Sequence, residues 1–469
     1  MAEIKFGTSG WRAIIAADFT FENVLLATAG IVELLKKSSP HPHVIVGFDT
    51  RFQADVFAWE CAEFLSSQGV RVSYCQNPVP TPTIAFEIIR RKLDGGINFT
   101  ASHNPGEYCG LKFSGADGAP ALPEITRRIE QNIRELQACP KIWNAWTPKL
   151  DLIEKIDPAP EYLKALATKI DLPLIQKSGL RISYDPLYGT ARAYLDKLLA
   201  DAGIAVSTIH DFRDVLFGGH PPEPAEEYLE DLRTDMKRHQ STLGLSTDGD
   251  ADRFGILDAG GAFITPNQII PLLLDYLIET RGWSGGAARS VATSHFLDAV
   301  ARKHQRELHE TPVGFKYIGE LIKANRIVIG GEESAGLTIK GHVPEKDGIL
   351  ACLLVAEMVA QRQKSLKQQL AEIESTVGAF HTVRLNLHLT PELKAAVKSK
   401  LESPPATLEG KPIVELNRTD GLKLILQNGS WILLRLSGTE PVARCYVEAH
   451  SLDELKQLTN SARKFVLEN

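Results

Sequence analysis

The sequence predicts an α/β protein built from three related α/β domains with mixed, mostly parallel sheets, followed by a C-terminal α+β domain. Two observations carry this. A strand–helix–strand pattern occurs in three separate places, and the final hundred residues change to alternating strands with a hairpin signal and a closing helix. Length agrees, because 469 residues exceed what one ordinary hydrophobic core can hold.

Taken in order, Val44–Phe48 reads as a buried strand, Asp55–Leu65 as an amphipathic helix and Val70–Tyr74 as the next strand. The pattern returns at Leu180–Tyr184, followed by a helix ending near Ala202 and strand Ala205–Ile209. A third unit runs from Ser290–Thr293 through a helix to about His304 and on to Arg326–Ile329. Beyond it, Val383–Leu389 alternates, and Leu422–Leu426 and Trp431–Leu436 flank the Asn428-Gly429 hairpin signal. Cys445–Ala449 and a helix over Leu452–Leu467 complete the chain. Linkers are expected at Cys139–Pro160, around Asp258–Gly261 and at Ile373–Gly378, giving domains 1–145, 155–257, 258–372 and 376–469.

Composition narrows the function classes. A net charge of -6 argues against a large nucleic-acid surface, so an anionic ligand must be met by a local group of cations. The longest apolar run, Ile349–Ala356, is far short of a membrane span, and no secretory signal pattern opens the chain. Six scattered cysteines without CxxC spacing fit reduced thiols and a cytoplasmic setting.

Four loops carry chemistry. Asp248-Gly249-Asp250-Ala251-Asp252-Arg253 lies between two apolar strands, and its alternate carboxylates can converge as hard oxygen ligands suited to Mg²⁺. An EF-hand is excluded, because its sixth position is Arg253 rather than Gly and its twelfth is Ala259 rather than Glu. A solvated acidic turn remains the competing reading, and Arg253 could hold a phosphate beside the metal. Ser102 follows the strand-like Gly96–Thr100, where nucleophiles of α/β sheets collect. It reads equally as a hydrolase serine beside His103 or as a turn cap before Asn104-Pro105, although no G-x-S-x-G elbow surrounds it. Glu332-Glu333-Ser334 on a Gly-rich loop can pair with vicinal sugar hydroxyls, or be a polar loop only. Arg435-Leu436-Ser437-Gly438-Thr439 ends a strand and suits either a phosphate cradle or a capped turn.

In this order and together, the loops resemble those of the α-D-phosphohexomutase superfamily, the phosphoglucomutases and phosphomannomutases. Phe6–Arg12 is similar to the family's N-terminal motif, Thr100–Pro105 to its phosphoserine loop and Asp248–Arg253 to its metal loop. Glu332–Ser334 resembles the sugar loop, Arg435–Pro441 the phosphate loop, and Thr311–Lys316 a motif of the third domain. The resemblance implies four domains around a central cleft. It also implies one Mg²⁺ per chain on Ser102, Asp248, Asp250 and Asp252, and a phosphoserine at Ser102. The activity it implies is transfer of a phosphoryl group between C1 and C6 of a hexose phosphate, with a hexose 1,6-bisphosphate as intermediate and activator. Arg12 and Arg253 would flank the phosphoryl group, with Lys112 and His103 in the catalytic set. Glu332, Ser334, Lys316, Lys346, Arg435, Ser437, Gly438 and Thr439 would contact the substrate. Only small hexose phosphates are implied as partners, to a monomer or homodimer serving carbohydrate metabolism, with no nucleic acid and no membrane.

The chain departs from the family pattern twice. Cys109 stands where many members have Asn, which predicts a cysteine near the cleft. Gly336 stands where bifunctional members carry a histidine, and with the Glu-Glu-Ser form and Lys346-Asp347 this favours glucose over mannose, with glucosamine third. A silent sugar-phosphate-binding protein and a phosphatase or hydrolase using Ser102 are the readings from other classes.

Overall fold

The structure, a computed structural model, describes residues 4–7, 9–138, 146–436 and 442–467. Backbone contacts divide the chain into two compact units, one of residues 1–266 with 314–367 and one of 267–313 with 368–469.

The first unit opens with strands β1 (Trp11–Ile14), β2 (His43–Phe48), β3 (Arg71–Cys75), β4 (Gly95–Phe99), β5 (Tyr108–Gly115) and β6 (Ile153–Ile156). They order as β1-β5-β4-β2-β3-β6, with β4, β2, β3 and β6 parallel and the β1-β5 and β5-β4 pairs antiparallel. Their apolar faces are covered by helices α1 (Phe21–Ser38), α2 (Ala54–Ser67), α3 (Thr81–Arg91) and α4 (Pro123–Gln137). β4 returns directly into β5 as an antiparallel pair, and the loop that turns the chain round holds Ser102.

Helices α5 (Ala159–Ala167), α6 (Leu172–Lys177), α7 (Leu195–Asp201) and α8 (Glu230–His239) accompany strands β7 (Arg181–Asp185), β8 (Ala205–Thr208), β9 (Leu243–Thr247), β10 (Phe254–Leu257) and β11 (Phe263–Ile264). The sheet order is β11-β10-β9-β7-β8, and the β9-β10 turn is the Asp248–Arg253 loop. Both sheets are mixed, as expected, and each joins its parallel strands to an antiparallel edge at the functional loop.

In the second unit, helix α9 (Pro266–Arg281) leads to β12 (Gly286–Ser290), α10 (Phe296–Lys303) and β13 (Leu308–Thr311), with β12 and β13 parallel. Residues 314–367 of the first unit supply α11 (Phe315–Lys323), the antiparallel pair β14 (Ile327–Glu332) and β15 (Gly336–Ile339), and α12 (Gly348–Arg362). After α13 (Leu366–Val377), the C-terminal part is antiparallel throughout. Strands β16 (His381–His388), β17 (Thr407–Leu408), β18 (Lys411–Asn417), β19 (Leu422–Leu426), β20 (Trp431–Leu436) and β21 (Val442–Ala449) order as β16-β21-β20-β19-β18-β17. Helices α14 (Pro391–Glu402) and α15 (Leu452–Leu467) pack on it.

Four sequence expectations are corrected. The third unit's first strand is Gly286–Ser290, not Ser290–Thr293, where the two hydroxyls meet at 2.9 Å across a turn. The segment Asp258–Gly261 is the β10-β11 turn rather than a linker, and buried Asp258 accepts the Leu366 and Lys367 N–H groups at 2.9 Å each. Ile373–Gly378 is no hinge: α13 runs through it to Val377, and Gly378, at φ 92°, stops the helix. The Cys139–Pro160 linker contains β6, which pairs with β3; residues 139–145 lie outside the described residues. No helix among the described residues is long and apolar enough to cross a membrane.

Candidate active site

The functional loops of the first unit meet. Ser102 sits just past β4 at φ 53°, a left-handed conformation uncommon for a side-chain-bearing residue, and its Oγ donates to Asp248 Oδ2 at 2.7 Å. Asp248, Asp250 and Asp252 are all buried, with carboxylate oxygens within 4.8 Å of one another. Burial, then repulsion from Asp250 and Asp252, raises the Asp248 carboxyl well above its usual range. Burial acts the same way on Asp250 and Asp252, but Lys112 outweighs it and both stay below the usual range. Lys112 Nζ lies 2.5 Å from Asp250 Oδ2 and 3.0 Å from Asp252 Oδ2, and Lys346 Nζ lies 3.1 Å from Asp252 Oδ2 and 2.8 Å from Glu345 Oε1.

Two oxygens of the cluster, Asp250 Oδ1 and Asp252 Oδ1, are buried without a hydrogen-bond partner. An unpaired buried carboxylate oxygen is costly, and a hard divalent cation is the group such oxygens satisfy. The donor set thus fits Mg²⁺. In the second unit Asp275, Glu279 and His304 also converge, but the Asp275 carboxylate already takes Lys303 at 2.8 Å and His304 at 2.7 Å.

Arg12 Nη1 donates to Asn104 Oδ1 at 2.7 Å, fixing it against the Ser102 loop. Arg253 N donates to Asp248 Oδ1 at 3.0 Å and Nη1 to Glu223 at 3.4 Å, while its buried Nε has no hydrogen-bond partner. Burial and then Arg253 lower the Arg12 pKa, as expected of two guanidiniums facing one another across a place for an anion. His103 does face its neighbour, against the expectation that adjacent residues point apart: Nδ1 lies 3.4 Å from Ser102 Oγ. Burial, then Arg253 and Arg12, hold the imidazole neutral, well below its usual pKa.

Glu332 ends β14, and Glu333, Ser334 and Ala335 form the turn into β15. Glu332 Oε1 accepts the Gly314 N–H at 2.8 Å; burial, then Glu333, pushes its carboxyl up to about 7. Lys316 on α11 has its pKa lowered by burial, with Glu124 and Glu332 opposing. Gly336 explains the missing histidine: a Cβ there would come within 2.2 Å of Lys346 Cδ, so the lysine stem fills that space. Cys109 is a correction. It is fully buried in the core of the first sheet, its thiol pushed well up by burial, and does not face the site. Of the phosphate loop, Arg435 belongs to the second unit and its Nη2 donates to Asp420 Oδ2 at 2.7 Å. Ser437, Gly438 and Thr439 lie outside the described residues.

Sequence reasoning missed several supports. Thr81, from α3, donates to Asp250 Oδ2 at 2.5 Å and takes Asn98 Nδ2 at 3.0 Å. Nothing local marks Thr81, because its partner is far along the chain. The start of α12 locks the metal loop: Gly348 N donates to Ala251 O at 3.0 Å, and a Cβ at Gly348 would lie 2.2 Å from Arg253 O. Gly348→Ala is therefore expected to cost about 1–3 kcal/mol, read as a lower thermal midpoint, with activity falling as the loop shifts.

Sequence profiles of the phosphoglucomutase/phosphomannomutase family match all along the chain. α/β/α domain I matches residues 3–138, domain II residues 160–261, domain III residues 265–376 and the C-terminal domain residues 389–464. The fold and loops are thus those of an α-D-phosphohexomutase. The chain belongs to the phosphoglucomutase/phosphomannomutase family, whose members are mutases. It is 29% identical to a phosphoglucomutase/phosphomannomutase of Thermococcus kodakarensis, over 96% of both chains. It is 31% identical to a probable phosphoglucosamine mutase of Methanopyrus kandleri, over 97% of this chain and 95% of that one. Human phosphoglucomutase-1 is 29% identical over 96% of this chain and 91% of its own. A crystal structure from Thermus thermophilus, provisionally named a phosphomannomutase, superposes with a TM-score of 0.87 at 32% identity, covering 99% of each chain.

Proposed function

We propose that this mutase interconverts the 1- and 6-phosphates of a hexose, glucose being preferred, through a phosphoserine at Ser102 and a hexose 1,6-bisphosphate. The observation that carries the reading is Ser102 Oγ placed 2.7 Å from Asp248 beside two orphaned aspartate oxygens, with Arg12 and Arg253 alongside. Bound to Asp248, Asp250 and Asp252, Mg²⁺ would supply charge neutralisation to the transferring phosphoryl group. In the forward half, the P–Oγ bond to Ser102 breaks as a bond forms to the free sugar hydroxyl, and the hydroxyl proton passes to a base. Neutral His103, at 3.4 Å, suits the base role, while Lys112 and Lys346 hold the cluster's charge. The bisphosphate then turns over and returns its other phosphoryl group to Ser102. Glu332 and Ser334 would pair with the sugar hydroxyls, and Lys316 and Arg435 with the phosphate that is not reacting. The domain limits 1–145, 155–257, 258–372 and 376–469 are kept as part of the same proposal.

Relatives named for glucose, mannose and glucosamine phosphates make phosphomannomutase the second reading, since these sugars differ at one position and weak discrimination suffices for dual use. The Glu-Glu-Ser loop, with Lys346 in place of a histidine, favours glucose. The test is kcat/KM on glucose, mannose and glucosamine 1-phosphates with Mg²⁺ and a bisphosphate primer. Glucose should lead; three inert sugars would leave a sugar-phosphate-binding protein, and steady phosphate release a phosphatase. The same assay tests Glu332. Its carboxylate form accepts sugar hydroxyls and dominates above pH about 7, so kcat/KM should rise through that region. Glu332→Gln should flatten that limb.

A further inference from the structure

One fully buried arginine that the mechanism leaves unused lies directly beneath the Ser102 loop. Arg51 follows β2, at the strand end next to β4, and its side chain is wholly buried. A guanidinium has five N–H donors, and here all are engaged. Nη2 donates to Ser102 O and Asn104 O at 2.6 Å each, and Nη1 to Pro105 O at 2.7 Å and Tyr108 O at 3.0 Å. Nε donates to Asp49 Oδ2 at 3.0 Å, and Asp49 Oδ1 takes the Arg51 N–H at 3.0 Å. The Phe217 ring, fully buried, covers the guanidinium at 4.9 Å. Arg213 Nη2 in turn donates to Arg51 O at 2.9 Å.

Four carbonyls of one loop on one cation is more than packing needs. The loop must turn the chain from β4 into β5 while Ser102 holds its left-handed backbone at φ 53°. Strained conformers persist only where surrounding contacts over-determine them. Because the carbonyls are drawn back onto Arg51, the Ser102 hydroxyl is presented on the opposite side, toward Asp248, and Asn104 toward Arg12. We propose that Arg51, held by Asp49 and Phe217, is the positioning residue that aims the Ser102 hydroxyl for phosphoryl transfer. This rests on the reading of Ser102 as the phosphoryl carrier. Arg51 touches neither metal ligand oxygens nor substrate; it acts through the loop.

Lysine keeps the charge but offers only three donors without a planar fork. In the full chain with Mg²⁺ and glucose 1,6-bisphosphate, Arg51→Lys should lower kcat about 100-fold, the loss expected of roughly 1 Å of misalignment, with KM within about threefold. The Mg²⁺ concentration giving half-maximal activity should not move. Guanidinium ion should restore part of the activity of Arg51→Ala, and ammonium should not. If Arg51→Lys does not fold, Asp49→Asn, which frees the fork to shift, should show the same kcat-only loss. Unchanged kcat with only a lower thermal midpoint, or an equal rescue by ammonium, would overturn the inference while leaving the function intact. A wild-type chain inert toward every hexose phosphate defeats the functional reading first, and this inference with it.

Discussion

Ser102→Ala is expected to lower mutase turnover by roughly 10⁴-fold or more, because the group that carries the phosphoryl is removed rather than misplaced. The variant should still fold. The loop is tethered through its carbonyls to Arg51 and through the Ser102 N–H to Thr100 Oγ1 at 2.9 Å, and neither contact uses the hydroxyl. The lost side-chain bond is the one to Asp248. The thermal midpoint should therefore move by only a few degrees. A coupled assay alongside a thermal melt checks both halves, and substantial activity in a folded Ser102→Ala chain would remove the serine from the mechanism.

Asp250→Asn should have the next largest effect. It removes an anionic oxygen from the metal set and weakens the Lys112 pair at 2.5 Å and the Thr81 bond at 2.5 Å. Changes outside a metal's ligands already cost about 10–100-fold in affinity, so losing a ligand oxygen should weaken Mg²⁺ by more than about 100-fold. A second readout is independent of turnover. Mg²⁺ binds only the folded chain, so it should raise the thermal midpoint of the wild type and leave Asp250→Asn unmoved. An equal Mg²⁺-induced shift in both would show that the ion binds elsewhere.

Much of this site was legible because its signals are local. The Asp248–Arg253 run between two apolar stretches became the β9-β10 turn, and Ser102 lies just past Thr100 at the end of β4, as read. The Asn428-Gly429 hairpin and the helix over Leu452–Leu467 also emerged where their residues placed them. The failures have physical causes. Strand Gly286–Ser290 is small-residue rich and carries an arginine, a poor strand signal; it is stable because Arg289 is neutralised by Asp298 at 2.5 Å and Glu310 at 2.6 Å, residues that come later in the chain. Ile373–Gly378 looked like a linker because a helix stop and a linker share Ser, Thr and Gly. Cys109 could have been placed correctly. It stands three residues from Lys112 on one strand, and an odd separation puts the two side chains on opposite faces, one in the core and one on the aspartates. The Arg51 clamp and Thr81 were beyond such reading, since both act across segments brought together only by the fold.

The most direct measurement is mass spectrometry of the intact chain and its peptides after brief incubation with glucose 1,6-bisphosphate and Mg²⁺. The account predicts one phosphate, on the peptide carrying Ser102, that is lost again when unlabelled hexose 1-phosphate is added and reappears in the sugar. Turnover with no phosphate on that peptide, or with phosphate on another residue that exchanges at the catalytic rate, would contradict it.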